Sequence, residues 1–245
     1  VYDAQTNRAL LTGATFGELK SDGTSTNDQS NCFIAAVSLE KGYITSISDY
    51  GVSTTPEACS SIDFSPAEDL LYVVGGTEKN GFMMDLIGSV GNNAVAVQFG
   101  LIMQADDVGT LMGGAVNQAD NVQYPVAVVT DPSEGYIYVA SIGSDDRSFT
   151  ADETGEFPNY TMEGGPKFGK DYFVVVQRYL VTIPDGDAAV EQTLDEDWYN
   201  FWDTDEGDVY TSGMTLAGNG NVLVVVGSTR ESGGPYGNNE GDDMD

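Results

Sequence analysis

The sequence contains no histidine. That removes Ser-His-Asp and Cys-His nucleophilic systems, together with every His-ligated zinc, iron or copper site. Cysteine is almost as scarce. Cys32 and Cys59 are the two present, too few for a Cys₄ centre. Basic residues are also few: 9 Lys and Arg stand against 39 Asp and Glu, a formal net charge of −30 at pH 7. Such a surface repels nucleic acid and anionic membranes, which need cations to displace counterions. No G-x-x-x-x-G-K-[ST] segment occurs, and the glycine-rich loops lack the lysine a phosphate would want. No apolar run reaches about 18 residues, so no segment is expected to span or insert into a bilayer. The nearest candidate, Tyr172 to Ile183, is interrupted by Gln177 and Arg178. An initiator Met, a basic n-region and a signal sequence are missing too, so the chain is expected to be a mature or trimmed segment.

What the chain does contain is a repeat. SPAEDLLYVVGGT, from Ser65 to Thr77, returns as DAQTNRALLTGAT (Asp3 to Thr15), DPSEGYIYVASIG (Asp131 to Gly143) and AGNGNVLVVVGST (Ala217 to Thr229). Aligned without gaps, Leu10, Tyr72, Tyr138 and Val224 coincide, as do Gly13, Gly75, Ser141 and Gly227. Each copy opens with a polar turn whose residues tolerate φ > 0 or cap their own backbone. It continues into a β-branched and aromatic run too short for a helix. These runs are apolar on successive residues, the pattern of strands covered on both faces. Long repeats with several strands per unit are the signature of a propeller, in which four-stranded blades cover one another. With 30 glycines and 10% aromatics the composition suits such an architecture.

The expected fold is therefore all-β: a β-propeller of four-stranded antiparallel blades, an incomplete set of about three to four. Residues 1–245 form a single segment with units at about 1–51, 52–114, 115–202 and, incomplete, 203–245. In the first unit Val1 and Tyr2 read as the tail of a strand, followed by Leu10–Thr15, Cys32–Leu39 and Tyr43–Ser48. The second has Cys59–Phe64, Leu70–Gly75, Ala94–Phe99 and the region around Leu111–Gly114. The third has Tyr124–Thr130, Tyr136–Ser141 and Tyr172–Val181, then an acidic span from Asp187 to Asp208. That span reads either as a short helix or as an aromatic outer strand through Trp198, Phe201 and Trp202. Val209–Thr215 and Val222–Val226 open the last unit. Three strands in the first unit and two in the last do not close a ring, so the natural polypeptide is expected to continue, or another segment to supply the missing strands.

A Gly-Gly step, an inner strand, a D-x-x-G-like turn, a Y-V-x-G strand and then a Gly- and Asp-rich loop resemble the bacterial-type β-propeller repeat of secreted and surface proteins. The best copy is Gly113-Gly114 followed by YPVAVVTDPSEGYIYVAS. The resemblance covers nearly the whole chain, although the units are longer than the family's and Ser141-Ile142 replaces its Gly-rich exit. It implies an extracellular scaffold or adhesion module without a shared catalytic motif.

Carboxylate chemistry survives the exclusions. Asp203, Asp205 and Asp208 stand in DTDEGD, where oxygens at alternate positions and a turn glycine suit calcium. The segment departs from the EF-hand loop, because its glycine comes fifth rather than sixth and Met214 stands where the twelfth-position Glu belongs. Asp22, Asn27 and Asp28 form a looser second group, and Glu240, Asp242 and Asp243 a third; an acidic turn in water is the competing reading of each. Two acids on a sugar-binding face would also serve a glycosidase. Trp198 and Trp202 either stack on a sugar or pack between blades. Cys32 and Cys59 are either a disulfide or two buried thiols. A disulfide would agree with the sequon Asn159-Tyr160-Thr161, which points to glycosylation on the secretory route.

These features lead to a non-enzymatic extracellular or cell-surface module of an acidic glycoprotein, structural or adhesive. It would present the long acidic loops of one face to a protein or glycan partner. Self-assembly, or pairing with the rest of the propeller, is part of that expectation. No cofactor is required, calcium being the one candidate. The alternative is a calcium-dependent lectin or a carboxylate glycosidase on the same scaffold.

Overall fold

The computed structural model describes residues 1–15, 30–50, 57–66, 68–78, 98–105, 111–117, 122–131, 135–144, 172–182, 191–202, 209–218, 220 and 222–229. All regular structure among them is β. The strands are β1 (Tyr2–Asp3), β2 (Arg8–Thr15), β3 (Asn31–Ser38), β4 (Ile44–Tyr50), β5 (Glu57–Ser65), β6 (Leu70–Glu78) and β7 (Gln98–Ala105). They continue with β8 (Leu111–Asn117), β9 (Val122–Asp131), β10 (Tyr136–Ser144), β11 (Tyr172–Thr182), β12 (Glu191–Trp202), β13 (Val209–Ala217) and β14 (Val222–Thr229). They form four antiparallel meanders, none closed: β1-β2-β3-β4, β5-β6-β7-β8, β9-β10-β11-β12 and β13-β14, here called sheets 1 to 4.

The sheets stack face to face in chain order. Leu10, Cys32, Ile34 and Ala36 of sheet 1 meet Leu71, Val73 and Ala105 of sheet 2. The opposite face of sheet 2, with Leu70, Tyr72 and Val74, meets Val128, Ile137, Val139 and Tyr179 of sheet 3. Ala140 and Val176, with Trp198 and Trp202, then meet Met214, Leu223 and Val225 of sheet 4. Successive residues of β6 therefore point to different cores, and the unbroken apolar run Leu70–Val74 is buried throughout.

The four copies read from the sequence share one register. Leu10, Tyr72, Tyr138 and Val224 are each the third residue of their strand, and Gly13, Gly75, Ser141 and Gly227 each the sixth. The backbone repeats as well. One extra residue bulges from the first strand of sheets 2, 3 and 4: Ser60, Val126 and Ser212. Each stands opposite the step between the fifth and sixth residues of the second strand. Ser60 and Ser212 donate their hydroxyls to the carbonyls of Val74 and Val226, at 3.1 and 3.3 Å, closing the same gap in the ladder. A second bulge lies between the third and fourth strands, at Thr45 in sheet 1 and Met112 in sheet 2. In sheet 3 it widens to Asp195–Trp198, opposite Arg178. The residue before the second strand of sheets 1, 2 and 3 has positive φ: Asn7 at 52°, Asp69 at 56° and Gly135 at 71°. Asn, Asp and Gly are the residues that tolerate this left-handed turn.

Three sequence expectations need adjusting. Tyr2 and Asp3 pair with Ala9 and Arg8, which gives sheet 1 a short fourth strand in place of the three expected. The third strand of sheet 2, Gln98–Ala105, runs on past Phe99, where the expected Ala94–Phe99 stopped; Leu101, Ile102 and Met103 pair with Gly75, Val74 and Val73. Residues 94–97 lie outside the described ones. The acidic span after Asp187 contains a strand, β12, and no helix among its described residues, because its aromatic half pairs with the apolar half of β11.

Candidate interaction surface

Two features set apart the middle of the stack: a polar seam between first strands and a cation held among aromatic rings. The seam joins β5 to β9. The Ser60 hydroxyl, whose one proton is shared with the Val74 carbonyl, donates to the nearer Pro125 carbonyl at 2.6 Å, and the Val128 amide donates to Ser61 Oγ at 3.3 Å. The Thr130 amide and hydroxyl donate to Asp63 Oδ2 at 2.8 and 3.0 Å. Partner numbers rise together along both strands, so β5 and β9 run side by side in the same direction although they belong to different sheets. Burial pushes the Asp63 carboxyl above its ordinary pKa, against the amides of Thr130 and Phe64 and the Thr130 hydroxyl, which pull it down.

Asp3 has the opposite balance. It is also buried, which raises its pKa, but the Thr6 hydroxyl, the Arg8 guanidinium and the amides of Gln5 and Thr6 outweigh burial and hold it below the usual range. Arg8 reaches Asp3 Oδ2 at 3.1 Å. This closes the β1–β2 turn with charge-assisted bonds in the smallest of the first strands.

The cation is Arg178, which with Gln177 interrupts the apolar run of β11. Its Nε donates to Asp195 Oδ2 at 3.0 Å, and its second terminal nitrogen donates to the same oxygen. The guanidinium lies over the Tyr136 ring, 4.4 Å from its centroid, and 5.4 Å from that of Trp198. Trp198 meets Tyr138 edge-on at 5.1 Å. The Asp195 bond, followed by Tyr138 and Tyr136, raises the arginine pKa further against a desolvation that lowers it. The widened bulge makes this possible, since it turns Asp195 and Trp198 back over a position that sheets 1 and 2 fill with Ala36 and Gln104. The pair, partly exposed, ties β11 to β12 across the widened bulge. Sequence reading registered Arg178 only as a break in an apolar run. That break was the available signal.

Cys32 and Cys59, expected as a disulfide or as two thiols, are joined, linking β3 of sheet 1 to β5 of sheet 2. Trp198 and Trp202 both lie in the packing between sheets 3 and 4. The calcium candidates Asp203, Asp205 and Asp208 lie outside the described residues, as do Asp22, Asn27, Asp28, Asn159, Glu240, Asp242 and Asp243. Among the described residues no three acids or cysteines come together as metal ligands would. The segments 16–29, 79–97 and 145–171 join second to third strands, and 51–56, 118–121 and 203–208 join sheet to sheet. In an antiparallel meander both kinds of connection start from the same end of the sheets. No protein-family model matches the chain, and comparison with curated proteins finds no relative.

Proposed function

We propose that this chain is a segment of a β-propeller and works as a non-enzymatic structural or adhesive module outside the cell, meeting protein or glycan partners through the connections at one end of its sheets. One observation carries the reading: β5 and β9, the first strands of sheets 2 and 3, lie side by side in the same direction, and the same bulge recurs at Ser60, Val126 and Ser212. Such a pairing of inner strands is what blades radiating from a shared axis would make, which supports the reading. The Cys32–Cys59 bond across two sheets suits an oxidising compartment and supports the extracellular setting. The sequon at Asn159 falls in 145–171, the longest of the second-to-third-strand connections, at the end assigned to partners.

A glycan and protein-ligand array, run on protein from its native source with intact-mass analysis of Asn159, tests this reading. Glycan or protein binding that survives EDTA supports it. Binding lost on chelation moves the assignment to a calcium-dependent lectin, the reading that Asp203, Asp205 and Asp208 favour from sequence. Turnover abolished by one Asp or Glu substitution moves it to a glycosidase.

A further inference from the structure

Among the described residues, sheets 1 and 4 each carry an apolar face that no other described sheet covers, and the two faces are of opposite kind. Leu70, Tyr72 and Val74 of β6 face the following sheet and are 6%, 0% and 0% exposed. The residues in those places on β14 are Val222, Val224 and Val226, and they are 52%, 39% and 57% exposed. At the other end Leu11 of β2 stands where Val73, Val139 and Val225 stand, each of which faces the preceding sheet. Leu11 is 47% exposed, and Tyr2 and Ile44 on the same face are exposed with it. Sheet 4 thus offers the kind of face that receives a next sheet, and sheet 1 the kind that is received.

We propose that sheet 4 of one copy of this chain receives sheet 1 of a second copy, repeating between molecules the step made three times within one. The occupant follows from the residues: the complementary face on this chain is its own sheet 1, where Tyr2, Leu11 and Ile44 form an uncharged cluster and the one acid that the register puts on that face, Asp49, lies toward the far end of β4. A head-to-tail contact either closes or propagates. Four sheets per copy bring two copies to eight, within the range of closed propellers. Both junctions would then form one two-fold interface in which Leu11 of each copy meets Val224 of the other. The formal charge of −30 per chain opposes association, so the dimer strengthens with salt as the Debye length falls below about 8 Å.

This inference rests on the propeller reading, but the two fail differently. A monomer that still binds a glycan or protein partner overturns the junction and leaves the adhesive role standing. A dimer that binds neither leaves the junction standing and removes the adhesive role.

The test is sedimentation velocity on the full chain from about 0.1 to about 2 M NaCl, with Val224→Asp, Leu11→Asp and the milder Val224→Thr. Both sites are exposed in the single chain, and circular dichroism checks that each variant folds. The expected results are a wild-type dimer that tightens with salt, and a loss of about a hundredfold in affinity for either aspartate variant. Val224→Thr should give a smaller loss. Mixing the two aspartate variants should restore a heterodimer through the one junction where both faces are intact. A wild type that stays monomeric at every salt concentration overturns the proposal. So does a Leu11→Asp variant that remains dimeric while Val224→Asp does not, because that pattern means sheet 4 pairs with itself.

Discussion

Breaking the Cys32–Cys59 bond tests how tightly sheets 1 and 2 depend on each other. The cysteines are 27 residues apart in sequence, and both sulfurs sit in the core shared by the two sheets. Opening a loop of that length releases about 3.5 kcal/mol of chain entropy to the unfolded state. For a chain of this size each kcal/mol moves Tm by about 2–4 °C, so reduction should lower Tm by about 7–14 °C. Cys32→Ala with Cys59→Ala should cost about 1–2 kcal/mol more, because it also empties part of the core. Differential scanning calorimetry with and without reductant measures the first quantity, and the double variant the second. Hydrogen exchange adds a spatial readout: β2, β3 and β4 should lose protection on reduction while β9, β10 and β11 keep theirs. A Tm that moves by less than about 2 °C, or two free thiols titrated without reductant, would refute this reasoning.

Tyr72 is wholly buried, and its hydroxyl donates to Glu68 at 2.7 Å. Tyr72→Phe should therefore cost about 1 kcal/mol and Tyr72→Ala about 4, read from urea midpoints at constant m. At the left-handed turns, Gly135→Val should destabilise by about 1–2 kcal/mol, whereas Asp69→Gly should be nearly neutral. Arg178→Met should cost about 1 kcal/mol and change the fluorescence of Trp198, since the cation leaves the ring while Asp195 stays behind. Acid should act on Asp63 and Asp3 with opposite sign. Asp63 binds its proton more tightly folded than unfolded, a contribution fully present below the unfolded pKa and lost as pH rises through the raised folded one. The Tm difference between wild type and Asp63→Asn should therefore shift in favour of wild type as pH falls from 7 to about 4. Asp3, depressed in the fold, contributes above its unfolded pKa and loses that contribution as pH falls through the folded one. The deficit of Asp3→Asn at pH 7 should accordingly shrink in acid. Parallel Tm–pH curves for wild type and both variants would contradict these signs.

The elements were legible in the sequence where a strand is buried on both faces. Val73 and Val74 on β6, or Ile137 and Tyr138 on β10, have to be apolar whichever way they point, so the run itself announces the strand. Legibility was weaker at strand ends. In AVAVQFGLIMQA the expected strand stops at Phe99, but pairing with β6 carries β7 on to Ala105 and brings Leu101 opposite Gly75. The Arg178 cluster was illegible for a different reason. Asp195 and Trp198 reach Arg178 through a bulge whose width no local residue announces, so an acidic span read equally well as a helix or a strand. The disulfide stood between: two cysteines limit the pairing to one possibility, but only their placement on adjoining strands of neighbouring sheets decides that it forms.

The repeat is also far stronger in the backbone than in its side chains, and this bears on why no family model matches. Equivalent positions hold Leu10, Tyr72, Tyr138 and Val224, four residues that share little beyond an apolar body. The left-handed turn asks only for Asn7, Asp69 or Gly135, any residue that tolerates positive φ. The bulge accepts Ser60, Val126 or Ser212, provided the ladder gap is closed or covered. What recurs is a set of backbone constraints, each met by several residue types, rather than a string of letters. Gly75 marks a limit of that tolerance. A Cβ there would run into the Ala58 carbonyl and the Cys59 backbone beside the bulge, while Ser141 occupies the same place in sheet 3 with its side chain buried. The facing strands differ: Cys59 opposite Gly75 is bonded to Cys32 of sheet 1, whereas Pro125 stands opposite Ser141. On that account Gly75→Ala should be markedly less costly in reduced protein than in oxidised protein, because opening the bond lets β5 move away from the added methyl. An equal Tm penalty in both redox states would mean that the bulge, and not the disulfide, presses β5 onto Gly75.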